Sequence, residues 1–393
     1  MNLYNTNKLM ENMQTDLRFD SYAVYVKCGE FENTFFSENV NEQTYFDIAS
    51  CGKILVTTPL VLQAIDEEKI SLDTTIDKLF DDVPADKKDI TIKHLLTHTS
   101  GIVRHSYIHS EREHLIKEIL SRPLKYEIGT DYVYSCSGMI LLGFILEKIY
   151  GESLENLFEK RIKHPLGYER SKFNINTDEE NTAICYRSET VKGLSSPWDD
   201  ENVRIMQTSA GSGGQFFTLT DIKKFTKAVL EKDKRLYSAK WFDIAEQEHS
   251  PKCSKEARGL GWLYVDEKYM QTGDLFPKGS FGHCGHCGQS IFFNRQKNMC
   301  VVILTNATRF LNKRNGFKGY DYNVICEMRR CIHNEIFKDL FNKLFKRKNN
   351  IFDEIINECE NYLEINNNDN EIKTLESKLL DATRFNLYFG IIK

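Results

Sequence analysis

The stretch that decides the fold is YFDIASCGKILV, residues 45–56. A short apolar run leads into Ser50, and the pattern predicts an amphipathic helix that starts there and continues to about Ile65. A serine at a helix start lies beside unpaired backbone N–H groups and the positive end of the helix dipole. Lys53 lies one turn later on the same face, within reach of the serine hydroxyl. The spacing therefore suggests a serine nucleophile with an amine beside it.

Two interpretations of this pair stay open at this point. In the first, Ser50 only caps a helix and Lys53 is a solvated residue of the first turn. In the second, Lys53 takes the proton of Ser50, which requires burial or neighbouring cations to lower the pKa of an amine. The spacing alone is common in proteins, so the choice depends on the rest of the chain.

Composition excludes several classes of partner. The chain has 393 residues, of which 41% are hydrophobic and 28% charged, as in globular proteins with a sizeable core. The net charge of −5 gives no sign of a nucleic-acid partner or an anionic membrane surface. The longest apolar run, residues 139–146, is too short to span a bilayer. The first residues lack a secretory signal and the 11 cysteines lack a framework spacing, so we expect free thiols and a cytoplasmic location.

Strand patterns lie near both ends of the chain. Residues 21–36 predict a hairpin. Four later segments are also rich in aromatic and β-branched residues; they are residues 259–265, 280–284, 290–293 and 300–305. The region from Ser50 to about residue 250 is mostly helical in pattern. Its clearest helix is residues 139–150, which Gly151 should end as a C-cap.

These patterns predict one α/β (α+β) domain over residues 1–345. Its antiparallel sheet would be assembled from distant segments and flanked by helices, with a mostly helical region inserted at about residues 67–250. A long helix, from Ile325 to Leu344, should close the domain. Residues 346–393 are rich in asparagine and are expected to form a C-terminal helical or partly ordered tail.

Further segments, in a fixed order, strengthen the second interpretation of Ser50 and Lys53. They are residues 69–73, 90–102, 134–143, 200–202, 210–218 and 281–288. With residues 46–53 they resemble the superfamily of serine β-lactamases, penicillin-binding proteins and related esterases, and above all its class C-like, β-lactamase-related hydrolases. The resemblance covers about residues 15–345 and implies a β-lactamase-like fold.

The resemblance assigns catalytic roles to three side chains. It implies that Ser50 attacks a carbonyl group and becomes an acyl ester, and that Lys53 helps to remove the serine proton. Tyr134 would be the partner base and later the acid for the leaving group. A tyrosine has an ordinary pKa near ~10, so Lys53 would have to favour its phenolate. The backbone N–H groups of Ser50 and His286 would form the oxyanion hole.

The segment around Gly285 corresponds to the third motif of the family. His283, Cys284 and Gly285 stand where β-lactamases carry Lys-Thr-Gly. The resemblance implies an edge strand beside the site, in which Gly285 lets substrate approach the backbone. His283 would supply polar or positive character near the reacting groups.

A rival interpretation of this segment is a zinc or redox site, since His283, Cys284, His286 and Cys287 lie close together in sequence. Alternate residues of a strand point to opposite faces, so the four side chains cannot easily converge. We therefore expect no metal and no cofactor. His94 and His98 are likewise expected to be structural.

Cys136 marks the main departure from the family pattern. β-Lactamases carry asparagine there, and a cysteine cannot donate or accept comparable hydrogen bonds. We expect Cys136, His283, Cys284 and Gly285 to contact substrate, and antibiotic hydrolysis to be weak. The expected function is hydrolysis of a small ester, amide or peptide through an acyl-enzyme on Ser50. The alternatives are a catalytically inactive binding protein of the same fold, and a D-Ala carboxypeptidase or β-lactamase.

Overall fold

The structure is a computed structural model. It describes residues 3–103, 111–173, 175, 182–183, 210–251, 254, 256–266, 271–308 and 322–345. The predicted tail of residues 346–393 and the motif of residues 200–202 lie outside the described residues.

Two sheets form the β portion of the described chain. The strands, in chain order, are β1 (Tyr22–Cys28), β2 (Phe31–Phe36), β3 (Tyr45–Asp47), β4 (Thr182–Ala183), β5 (Phe216–Phe217), β6 (Leu263–Tyr264), β7 (Phe281–Cys284), β8 (Ser290–Asn294) and β9 (Met299–Thr305). The larger sheet has the order β2-β1-β9-β8-β7-β6, and all its neighbours are antiparallel. Tyr22 of β1 lies opposite Thr305 of β9, so early and late segments pair inside the sheet. The smaller sheet has the order β4-β3-β5.

Helices cover both faces of the larger sheet. They are α1 (Tyr4–Thr15), α2 (Thr58–Asp66), α3 (Ile92–Leu96), α4 (Arg112–Ser121), α5 (Cys136–Tyr150), α6 (Leu154–Phe158), α7 (His164–Leu166), α8 (Leu219–Leu230), α9 (Trp241–Ile244) and α10 (Tyr322–Phe345). Helices α1 and α10 pack on one face, where the Asp339 carboxylate accepts hydrogen bonds from the Thr6 backbone N–H at 2.8 Å and the Thr6 hydroxyl at 2.9 Å. The remaining helices build the opposite layer.

Strand alternation supplies both cores. Val301 and Ile303 of β9 pack with α1 and α10, whereas Val302 and Leu304 pack with the helices of the opposite layer. Successive side chains of a strand point to opposite faces, which explains why a central strand such as β9 is apolar throughout. The architecture is the predicted α/β (α+β) arrangement, an antiparallel sheet flanked by helices.

Most of the predicted elements are present. Strands β1 and β2 confirm the hairpin of residues 21–36, and β7, β8 and β9 confirm three of the four later strands. The segment of residues 259–265 contributes only two residues to β6. The helix predicted at residues 139–150 is α5, which begins earlier, at Cys136, and ends where Gly151 adopts a φ of 67°.

The prediction of one regular helix starting at Ser50 is wrong. Ala49–Cys51 forms a 3₁₀ turn, Lys53–Thr57 forms a π turn, and the α-helix begins only at Thr58. A π turn is wider than an α turn and is favoured only where packing compensates for it. All five side chains of this π turn are buried. Tertiary packing therefore overrides the amphipathic pattern at this point.

Candidate active site

Ser50 lies directly after the end of β3, on a constrained turn. Ala49, the residue before it, adopts a φ of 45°, which is uncommon for a residue with a side chain. The Ala49 N–H donates to the Asp47 carboxylate at 2.8 Å. Asp47 is itself buried at the end of the strand. The end of strand β3 thus fixes the backbone that presents the Ser50 hydroxyl.

The Lys53 side-chain amine is fully buried beneath Ser50. Its Nζ atom donates to the Ser50 Oγ at 3.0 Å and to the Ser212 backbone carbonyl at 2.6 Å. It also lies 3.7 Å from the Cys136 Sγ. The interpretation of Lys53 as a solvated surface residue is therefore wrong, and its amine is aimed at the serine.

The glycine-rich segment of residues 210–214 holds the lysine, a role that the sequence did not reveal. The Gly211 carbonyl accepts a hydrogen bond from the Thr57 hydroxyl at 2.6 Å, next to the Ser212 carbonyl that binds the lysine. A Cβ atom on Gly211 would lie 2.2 Å from the Met139 carbonyl oxygen of α5. Only glycine lets this loop approach α5 closely enough for its carbonyl to reach Lys53.

Tyr134 completes the hydrogen bonds to the serine. Its hydroxyl donates to the Ser50 Oγ at 2.8 Å, and its ring centroid lies 5.2 Å from the Lys53 Nζ. Burial raises the pKa of Tyr134 well above its ordinary value, and the nearby Cys136 raises it further. The raised pKa favours the neutral phenol at rest, so the predicted role of Tyr134 as a base depends on Lys53 to favour its phenolate.

His98 holds the segment that carries Tyr134 from two sides. Its carbonyl accepts from the Val133 N–H at 3.0 Å, and its Nδ1 accepts from the Ser135 N–H at 3.3 Å. The imidazole and Tyr134 ring centroids are 4.8 Å apart. Burial, followed by the charge of Arg258, holds the pKa of His98 well below its ordinary value. The neutral imidazole can therefore accept the Ser135 hydrogen bond.

His283 contributes a neutral imidazole rather than a positive charge. Its Nδ1 donates to the Cys284 carbonyl at 2.8 Å, which leaves Nε2 to accept from the Arg258 Nη1 at 3.4 Å. Burial is the main cause that holds the pKa of His283 well below its ordinary value, and the charges of Arg258 and Lys53 act in the same direction. Arg258, which the sequence argument missed, places a second cationic side chain beside the reacting groups in addition to Lys53.

The resemblance implied that the strand carrying His283 lies at the edge of the sheet. In the structure this strand, β7, is not the outermost strand of the larger sheet. The two-residue strand β6 lies outside it and pairs with Phe281 and Gly282 only. The ladder on that side stops before His283, so His283 and Cys284 face the cavity beside Ser50. The short outer strand thus leaves the second half of β7 open toward the site.

The turn after β7 is held tightly against the nucleophile segment. A Cβ atom on Gly285 would lie 2.8 Å from the Ile48 carbonyl oxygen. The Gly285 carbonyl accepts a hydrogen bond from the Arg329 guanidinium. The close approach at Gly285 is therefore to the chain's own backbone. His286 follows, with its ring stacked on Tyr322 at a centroid distance of 5.4 Å.

A cavity of about 360 Å³ opens above Ser50. Its described lining residues are Ser50, Tyr132, Tyr134, Glu256, Arg258, Leu263, Gln271, His283, Cys284, His286 and Tyr322. Two of the four predicted substrate contacts, His283 and Cys284, therefore face this space, and so does His286, a predicted oxyanion-hole residue. Cys136 and Gly285 are not among the lining residues, and Cys136 instead contacts Lys53.

The zinc interpretation of the segment from His283 to Cys287 has no support in the described residues. Within the described ranges, no group of three or more His, Cys, Asp or Glu side chains is arranged to hold a metal ion. Neither Cys284 nor Cys287 forms a disulfide bond with another described cysteine. Over the same part of the chain, no helix has the length and apolar character needed to cross a membrane.

Comparison with known proteins gives a consistent picture. The family model described as Beta-lactamase matches residues 20–316. The chain is similar to the N-acetylmuramyl-L-alanine amidase of Bacillus subtilis (strain 168), with 26% identity over 67% of this chain and 68% of that protein. It is also similar to the lovastatin esterase of Penicillium rubens, with 28% identity over 56% of this chain and 64% of that protein.

A solved structure shares the fold. The octameric penicillin-binding protein homologue from Pyrococcus abyssi matches with a TM-score of 0.65 and 20% identity, over 88% of this chain and 82% of that chain. At that identity the likeness concerns the fold alone. The match nevertheless extends well beyond the segments around Ser50, so most of the described architecture is shared.

Proposed function

The chain belongs to the beta-lactamase family, and from that premise we propose that it is a serine hydrolase that cleaves esters or amides through an acyl-enzyme on Ser50. One observation carries the proposal. The Ser50 Oγ receives hydrogen bonds from both Lys53 Nζ, at 3.0 Å, and the Tyr134 hydroxyl, at 2.8 Å. A hydroxyl held by two proton-transfer groups at the mouth of a cavity is arranged for nucleophilic attack.

In the acylation step, the Ser50 oxygen forms a bond to the substrate carbonyl carbon while its proton passes to the Lys53–Tyr134 pair. Lys53 in its neutral form can accept that proton across the 3.0 Å contact. Tyr134, a neutral phenol at rest, then donates its proton to the leaving alcohol or amine as the carbonyl–leaving-group bond breaks. Water completes the cycle by hydrolysing the Ser50 ester, with the same pair managing its proton.

The backbone N–H groups of Ser50 and His286 are our candidates for the oxyanion hole. Gly285 supports this assignment, because its close approach to Ile48 brings the turn after β7 against the nucleophile segment. Two N–H donors aimed at the developing oxyanion lower the barrier by several kcal/mol in comparable hydrolases, about 2.7–4 kcal/mol for one donor.

The substrate is proposed to be a small ester, amide or peptide. The names of the two relatives, an amidase and an esterase, support both bond types, and the cavity of about 360 Å³ suits a small molecule. No cofactor enters the proposed steps. We also propose a cytoplasmic location, which is supported by the finding that the described cysteines form no disulfide bonds with one another.

Covalent labelling tests the proposal. A fluorophosphonate probe should label the purified protein, and mass mapping should place the adduct on Ser50. Ser50→Ala should lose labelling and hydrolysis of an aryl acetate while its far-UV spectrum stays unchanged. Ser121→Ala is the matched control, because that serine is exposed at the end of α4 and lies outside the segments that carry the resemblance, and it should label normally.

The same experiment separates the enzyme from the inactive binding protein of the same fold. A folded wild-type protein that neither labels nor turns over aryl esters would favour the binding protein. Labelling that persists in Ser50→Ala would refute the assignment of the nucleophile.

A further inference from the structure

We propose that Glu256 determines substrate specificity by occupying Arg258, so that the site selects ester and amide substrates without a carboxylate near the scissile bond. The inference rests on the proposed function and names the substrate class of that same cavity. Its basis is a ring of three hydrogen bonds that joins Tyr132, Glu256 and Arg258.

Arg258 is a buried cation with a carboxylate already bound to it. Its Nη2 donates to the Glu256 Oε2 at 2.6 Å and to the Tyr132 hydroxyl at 2.7 Å. The Tyr132 hydroxyl in turn donates to the same Glu256 oxygen at 2.8 Å. The Arg258 side chain is 3% exposed and that of Glu256 is 31% exposed. The carboxylate therefore lies between the guanidinium and solvent.

These groups belong to the reaction cavity. All three line it together with Ser50. The Arg258 Nη1 lies 3.4 Å from the His283 Nε2, and the guanidinium carbon lies 5.4 Å from the Tyr134 ring centroid. Among the described lining residues, Arg258 is the only arginine or lysine and Glu256 the only carboxylate.

The charge balance of the cavity follows from this pairing. A guanidinium is the side chain best suited to bind a carboxylate, because its N–H groups match two oxygens. Here Glu256 supplies that carboxylate from within the chain, and His283 is neutral. An anionic substrate would have to displace Glu256 and leave a partly buried carboxylate without its partner, which is costly. A neutral substrate leaves the pair intact.

Removing the charge of Glu256 should therefore release Arg258 for a substrate carboxylate. The variant is Glu256→Gln, which keeps the shape and an oxygen acceptor for Tyr132. Two substrate pairs place the carboxylate on either side of the scissile bond. The first is 3-acetoxybenzoate against its methyl ester, with the carboxylate on the leaving group. The second is 4-nitrophenyl hydrogen glutarate against 4-nitrophenyl butyrate, with the carboxylate on the acyl group.

The quantity measured is the ratio of kcat/KM for the anionic and neutral members of each pair, because a general change in activity cancels in that ratio. Wild type should prefer the neutral member of both pairs. In Glu256→Gln the ratio should shift toward the anionic member of at least one pair by about tenfold or more, the effect of one gained charge-assisted hydrogen bond. The pair that shifts identifies which side of the bond faces Arg258.

Two control variants isolate the mechanism. Glu256→Asp keeps the negative charge and should keep the wild-type preference for neutral substrates. Adding Arg258→Gln to Glu256→Gln should abolish the gain for anionic substrates. Persistence of the gain without the arginine would overturn the proposal.

Two other outcomes would also overturn it. One is an unchanged ratio in both pairs for a Glu256→Gln protein that still hydrolyses the neutral esters. The other is a wild-type preference for the anionic member. In both cases hydrolysis that depends on Ser50 continues, so the failure is distinct from a failure of the proposed function, in which no ester is hydrolysed at all.

Discussion

Removal of the Tyr134 hydroxyl is the sharpest test of how the site moves protons. That hydroxyl donates to the Ser50 Oγ at 2.8 Å, and the Lys53 Nζ donates to the same atom at 3.0 Å. Proton transfer by one positioned side chain contributes about 10²–10⁴-fold to a rate, which corresponds to about 2.7–5.5 kcal/mol of the barrier. Tyr134→Phe should lower kcat/KM for an aryl acetate within that range.

The fold should tolerate this change. The phenyl ring keeps its packing against His98, at a centroid distance of 4.8 Å in wild type, and only one hydrogen bond is lost. Such a bond contributes about 1 kcal/mol to stability, so the melting temperature should fall by only a few degrees. A large loss of activity with a small loss of stability separates a catalytic role from a structural one.

Lys53→Met supplies the second arm of a double-mutant cycle, since methionine fills the buried volume without the amine. Lys53 and Tyr134 both contact the Ser50 Oγ, so loss of either should disable the same proton transfer. The double variant should then be little slower than the slower single variant. Losses that simply multiply would show two independent contributions and refute the paired mechanism. An active Tyr134→Phe, within about threefold of wild type, would refute the role of the phenol outright.

Three further outcomes are expected. First, three buried histidines should make the protein acid-labile; they are His98, His283 and His333. Burial holds their pKa values below the ordinary one, to about 3 for the last of them, so the unfolded state binds more protons as the pH falls below about 6.5. His333 alone should lower the unfolding free energy by about 2 kcal/mol at pH 5, His98 and His283 should act in the same direction, and equal urea midpoints at pH 7.5 and pH 5 would contradict this. Second, Cys136→Asn alone should give no gain in cephalosporin turnover relative to an aryl acetate. The side chain contacts Lys53 without lining the cavity, and Glu256 still occupies Arg258, which a cephalosporin carboxylate would need. A selective gain measured with a chromogenic cephalosporin would disprove this. Third, Gly211→Ala should cost about 1–3 kcal/mol of stability and lower kcat, since its Cβ would meet the Met139 carbonyl; thermal melts with unchanged midpoints would show that the loop can move freely.

The sequence predicted the elements whose patterns are local. The hairpin of residues 21–36 depends on a short turn and β-branched residues, and both lie within a few positions of each other. The helix ending at Gly151 has its own stop signal, because the αL conformation favours glycine. The nearness of Ser50 and Lys53 follows from their spacing in one turn. Tyr134 came from the resemblance, and the structure places its hydroxyl on the Ser50 Oγ.

The parts that the sequence did not predict depend on long-range packing. Arg258 reaches the site because β6 and β7 bring residues around 258 and 283 together, and nothing in its neighbours marks it. The Ser212 contact to Lys53 is made by a backbone carbonyl, so no side-chain pattern could signal it. The pattern of residues 53–57 predicts an α-helix, but these residues form a π turn. All five side chains are buried there, so tertiary packing and not the local pattern determines the backbone. The raised pKa of Tyr134 follows from its burial, and this burial depends on distant segments that the local sequence does not identify.

The pairing of β1 with β9 has a consequence for biosynthesis. Tyr22 of β1 lies opposite Thr305 of β9. A ribosome must therefore complete nearly all of the domain before β1 can pair with β9. At about 5–20 residues per second, the hairpin of β1 and β2 waits for roughly 15 to 60 seconds with one edge unpaired. Such an edge is a template for association with other chains. We therefore expect the nascent chain to need protection during this interval, and the reaction cavity can be complete only once Tyr322, the last of its described lining residues, has been synthesised.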